Sequence, residues 1–177
     1  MGIGGQQVTI VVDVANVMGS RPDGWWRDRA GAAVRLHAEI VRLARSGRAI
    51  LPASPAPGEP ALGEPAPGEP APGEPAPGEP GPAPGFVMVL EGAARAAADR
   101  LTAAEPDADA GGTGPVRPGE VRVVQARGSG DDTIVAVARE LPGRRAVVTA
   151  DRGLRARCVA AGAEILGPGW LLGLLRG

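Results

Sequence analysis

Short β-branched runs alternate along this chain with stretches whose apolar residues recur at helical spacing. Val8–Val12 is the first such run, of the kind buried on both faces of a parallel sheet, and it predicts a strand. Arg29–Ser46 carries Ala33, Leu36, Ile40, Leu43 and Ala44 at a helical period, and Gly47 supplies the stop. Phe86–Leu90 predicts a second strand, Ala93–Ala104 an alanine-rich helix and Val121–Gln125 a third strand. A helix over Asp132–Leu141 follows, with Ile134, Val137, Ala138 and Leu141 on one face, then a strand at Ala146–Thr149. Leu154–Ala161 reads as a helix, Glu164–Leu166 as a short strand and Trp170–Leu175 as a last helix. Glu105–Gly119 is polar and rich in Gly and Pro, hence a loop. This alternation predicts an α/β domain, a parallel sheet of about five strands with helices on both faces. Right-handed crossovers bring every strand's carboxyl end to one edge.

One segment breaks the pattern. From Ala56 to Pro80 the pentad APGEP runs five times, with Leu62 the one departure. Repeated Pro and Gly without apolar periodicity cannot bury surface, so residues 52–85 are expected to be a disordered, partly polyproline II insert. Lengthening a surface loop costs only about 0.6 kcal/mol per doubling. The predicted domain is therefore assembled from residues 1–51 and 86–177.

Composition changes this picture in two respects. Aromatic residues are 2% of the chain, so the core is built of Val, Leu, Ile and Ala. The net charge of −1 hides an uneven distribution: Glu59, Glu64, Glu69, Glu74 and Glu79 lie in the repeat, leaving 15 acids against 19 arginines elsewhere. A mildly basic body around a cluster of acids suits a polyanionic substrate and a cation. Cys158 stands alone, which excludes a disulfide framework and a cysteine-based zinc site. No run approaches a membrane span and no leader pattern opens the chain, so a cytoplasmic location and no membrane partner are expected.

The candidate chemistry lies where strands end. Asp13 follows VTIVV, Glu91 follows FVMVL, Asp131 and Asp132 follow VRVVQARGSG, and Asp151 follows AVVTA. Open α/β folds place their active sites along that edge. Carboxylates gathered there repel one another unless a cation lies between them, so the pattern suits a divalent metal. Each acid also has a plainer reading. Asp13 can form a turn by accepting local backbone amides, Asp131 or Asp132 can cap a helix, as can Asp151, and Glu91 can be a surface acid.

Other residues add less. Trp25 and Trp26, flanked by Arg21, Arg27 and Arg29 in the loop after Asp13, suit stacking on single-stranded bases, or one of them fills the helix–sheet interface. Arg152, Arg155 and Arg157 suit a basic rim or an ordinary solvated helix face. His37 is expected at the edge of the core, Cys158 and Trp170 within it, and triad hydrolysis finds no support.

VVDVAN, then GSGDDTIV, then VVTADRGLRARCVAAGAEILGPGWLL resemble the PIN-like nuclease superfamily, in particular its NYN-type bacterial branch. The resemblance covers residues 8–51 and 86–177. It implies a Rossmann-like three-layer fold and an Mg²⁺- or Mn²⁺-dependent ribonuclease that cleaves single-stranded or loop RNA with metal-activated water. Carried over by position, Asp13, Asp132 (with Asp131) and Asp151 are the implied metal set; read from the residues, Asn16 is a candidate positioning donor, and Thr149 and Arg152 are candidate substrate contacts. The family's fourth acid has no clean counterpart, and Glu91 is the substitute. The resemblance leaves open a homodimer and a toxin's antitoxin partner. Two rival functions remain: a nucleoside triphosphate pyrophosphohydrolase with the same carboxylate–metal site, and a noncatalytic RNA-binding module whose binding is independent of metal and of Asp13 and Asp151.

Overall fold

The computed structural model describes residues 7–49, 51, 83–104 and 114–177. Within them the chain forms β1 (Val8–Asp13), α1 (Val14–Gly19), a 3₁₀ turn at Trp25–Arg27 and α2 (Arg29–Ser46). β2 (Gly85–Leu90) follows, then a 3₁₀ segment at Gly92–Ala97 that runs into α3 (Ala98–Ala104), and β3 (Val121–Gln125). The remainder is α4 (Gly130–Glu140), β4 (Arg144–Val148), α5 (Arg152–Ala160), β5 (Glu164–Leu166) and α6 (Pro168–Arg176).

All five strands are parallel, in the order β3-β2-β1-β4-β5. The centres of the inner strands are apolar because both of their faces are covered. Ile10, Val12, Phe86, Met88, Ala146 and Val148 belong to the core shared with α1, α2 and α6. Val11, Val87, Val89 and Val147 alternate with them and pack on Ile134, Val135 and Ala138 of α4 and on Leu154 and Cys158 of α5. The result is the expected α/β sandwich of helix, sheet and helix layers.

Strand order positions the site. The chain leaves β1 for β2 and β3 on one side, then crosses back to lay β4 against the other side of β1. Val12 pairs with Val148, and Asp13 with Val89 on the opposite side. Connections therefore diverge above β1 and β4, opening the crevice in which such sheets bind ligands.

Several expectations shift. α1 was not anticipated, since six residues are too few to display a helical period. The first turns of the predicted 93–104 helix are 3₁₀. Helix α4 begins two residues earlier than its apolar face suggested, because Ser129 caps it by accepting from the Asp132 amide. Gly85 belongs to β2, where it pairs with Thr9, so the insert expected over 52–85 ends before it. The APGEP repeat and residues 105–113 lie outside the described residues. Gly47 ends α2 with φ of 66°, as read. Among the described residues no helix is long and apolar enough to cross a membrane.

Candidate functional site

A cleft of about 510 Å³ opens over the carboxyl ends of β1, β2 and β4, lined by Asp13, Asn16, Glu91, Asp131 and Asp151 together with Ala15, Gly19, Ser20 and Ala150. No basic side chain lines it.

Asp13 is its floor, only 7% exposed. One carboxylate oxygen caps α1 by accepting from the Asn16 amide at 3.0 Å, and the other accepts from the Thr149 hydroxyl at 2.9 Å. The turn-forming reading of Asp13 thus coexists with its place in the cleft. Burial pushes its carboxyl above the ordinary value; the bonds from Asn16 and Thr149 oppose that rise, and the negative charges of Glu91 and Asp131 add to it.

Thr149 is fully buried, and its hydroxyl also accepts from the Asp151 amide at 3.2 Å. It was expected beside the substrate. Instead it has no surface to offer one, and it joins two acids of the cleft.

Asp151 caps α5 by accepting from the Leu154 amide at 2.8 Å. Asn16 accepts from the Ala150 amide at 2.9 Å, tying the start of α1 to the loop after β4. Because that partner is a donor, it must meet the Asn16 oxygen. The side-chain NH₂ is then left as the group Asn16 can offer to a ligand.

Glu91 is half-buried, not a surface acid. It reaches from the end of β2 to the start of α4, where it accepts from the Gly130 amide at 3.0 Å. The sequence offered one unused signal for this bond. A Cβ at position 130 would lie 2.0 Å from Glu91 Oε2 and 3.2 Å from Glu91 Cβ, so any larger residue there displaces the Glu91 carboxylate. Gly130→Ala is expected to swing the Glu91 carboxylate out of the cleft and to lower urea-unfolding stability by about 1 kcal/mol, the scale of one lost hydrogen bond.

Asp131 and Asp132 part company. Successive helical residues point about 100° apart, so only one can face the sheet edge. Asp131 does so. Asp132, whose side chain is 69% exposed, pairs with Arg157 of α5 instead. Of the expected metal set, Asp13, Asp131 and Asp151 line the cleft, whereas Asp132 is turned away from it toward Arg157. Neither acid caps α4, a task Ser129 performs. Asp132→Ala is expected to leave the urea midpoint and any activity of the cleft unchanged, because exposed ion pairs contribute little.

The remaining candidates stand outside. Trp25, Trp26, Arg27, Arg29 and Arg152 do not line the cleft. Trp25 is half-buried against the core and Trp26 is exposed, which divides the two roles foreseen for the pair. His37 is buried in α2, and Cys158 is fully buried beneath α5, where burial pushes its thiol up.

As placed, no three Asp, Glu, His or Cys side chains among the described residues are grouped tightly enough to hold one ion. Asp13, Asp151 and Glu91 are each tied to a backbone amide, and Asp13 also to Thr149. The cleft does gather four carboxylates and one side-chain amide, and oxygen donors of this kind are the ligands that hard divalent cations take. The carboxyl of Asp13 is raised chiefly by its burial, with a smaller contribution from the charges of Glu91 and Asp131.

No family model matches this chain, and searches among curated proteins and solved structures find no significant match.

Proposed function

We propose that the protein is a divalent-metal-dependent ribonuclease of the PIN-like, NYN-type kind, cleaving phosphodiester bonds in single-stranded or loop RNA. The observation that carries this reading is the gathering of Asp13, Glu91, Asp131 and Asp151 in one cleft at the point where the strand order reverses. These four acids would hold Mg²⁺ or Mn²⁺. Such an ion lowers the pKa of a bound water and offsets charge on a reacting phosphate.

The chain's own groups supply the rest. Thr149 fixes the Asp13 carboxylate, and the Ala150 amide fixes Asn16 so that its NH₂ can donate to a phosphate oxygen. The start of α4 is held to the end of β2 by Glu91, which keeps Asp131 over the cleft. Arg152 in the first turn of α5 is exposed beside Asp151 and would meet the flanking phosphates of a polyanion.

The test is incubation of the full chain with RNA, single-stranded DNA and nucleoside triphosphates, each with Mn²⁺ and with chelator. Cleavage of RNA in Mn²⁺, abolished by chelator and by Asp151→Asn, is the expected result. Asn caps helices as well as Asp does, so that variant is expected to keep its fold. Hydrolysis of triphosphates with RNA left intact would point to the pyrophosphohydrolase instead. RNA binding indifferent to metal and to Asp151→Asn, without cleavage, would leave only a binding module.

A further inference from the structure

The chain has four aromatic side chains, and three of them are packed away. Phe86 is fully buried, and Trp25 and Trp170 pack on the core. Trp26 is 56% exposed. Leaving an indole in water gives up a large burial free energy, and local bonds fix the backbone turn that carries this one. Gly24, at φ of 74°, opens the 3₁₀ turn, the Asp23 carboxylate accepts from the Trp25 amide, and Asp28 caps α2 immediately afterwards. Trp25 is clamped between the core and the Arg29 guanidinium, 5.6 Å from its ring centroid. Trp26 then stands edge-on to Trp25, with centroids 6.3 Å apart and planes at 86°.

This aromatic pair adjoins the cleft. Gly19 lines the cleft, and a Cβ added to it would lie 3.8 Å from Trp25 Cζ2, so the Trp25 ring backs the cleft wall. Arg27 and Arg29, on either side of the capping Asp28, are both exposed.

We propose that Trp26 selects unpaired nucleic acid for this site by stacking one nucleobase on its indole, while Arg27 and Arg29 meet the adjoining phosphates. The ligand class is taken from the nuclease reading. The choice of residue rests on the exposed ring of Trp26, set edge-on to the Trp25 ring that backs the cleft wall. A protein partner fits less well, because docking surfaces need a contiguous apolar patch. The other exposed large hydrophobic residue among those described is Val159, on α5. Stacking on a rigid aromatic is tolerant of sequence and needs a base free of its duplex partner.

Binding in chelator isolates this step from hydrolysis. Affinities of the full chain would be measured by fluorescence anisotropy for a short labelled RNA strand, an abasic strand of the same length and an RNA duplex. The wild type is expected to favour the base-bearing strand by about tenfold over the abasic one. Trp26→Ala is expected to equalise the two with an unchanged melting temperature, and Trp26→Phe to keep most of the preference. Equal affinities in the wild type, or a preference that survives Trp26→Ala, would overturn the proposal. Cleavage in Mn²⁺ without a Trp26-dependent preference would sink this inference and leave the nuclease reading intact. The preference without cleavage would do the reverse.

Discussion

Asp13→Asn is expected to make the metal-free protein more stable at neutral pH while removing its activity. The buried carboxylate sits among Glu91 and Asp131 with its pKa raised above the ordinary 3.8, chiefly by burial. A raised acid pKa means that the folded state binds this proton more tightly than the unfolded chain does. Stability from this group is therefore greatest at low pH and is lost as pH rises through the folded pKa. Asparagine keeps an oxygen for the Asn16 amide and carries no charge. The variant's advantage, about 1 kcal/mol in urea unfolding, is expected to grow from pH 4 upwards and then level off. Destabilisation at neutral pH would show that the carboxylate's bonds outweigh its burial and repulsion.

Thr149→Val should have the opposite sign. Its side chain keeps the shape but removes the hydroxyl that donates to Asp13 and accepts from the Asp151 amide. Losing a bond to a buried charged group costs about 2 kcal/mol. The Asp13 carboxyl should rise further, because one of the bonds opposing its rise is gone. The destabilisation should therefore be largest where Asp13 is ionised and shrink as pH falls. Thr149→Ser should restore most of it. In a double-mutant cycle with Asp13→Asn, the two effects should be strongly non-additive. Additive effects would mean that the Thr149–Asp13 bond is not the source of the cost.

Much of this architecture was legible because buried parallel strands leave an unmistakable trace. Runs such as FVMVL and AVV must be apolar on both faces, and the acid that ends each run marks the sheet edge. The limits α2 shows, Arg29 and Ser46, were readable from its apolar period and from Gly47. What stayed hidden depends on three-dimensional facing. Adjacent Asp131 and Asp132 are equivalent in a linear string, and only the phase of α4 against the sheet separates them. The Glu91 link to Gly130 spans 39 residues, and local pattern cannot show it. Thr149 looked like a substrate contact because it precedes Asp151, yet its place at the end of an inner strand buries it completely. Helix α1 escaped notice because six residues carry too little periodicity.

The central claim is that the acids at the sheet edge form a site for a divalent cation. Thermal unfolding of the wild type and of Asp13→Asn, each in Mn²⁺ and in chelator, tests it most directly. A ligand bound only by the folded state stabilises it by about 2.7 kcal/mol at a hundred times its Kd. The melting temperature of the wild type should therefore rise saturably with Mn²⁺, and that of Asp13→Asn should not. Identical melting curves for the wild type in Mn²⁺ and in chelator would contradict the claim.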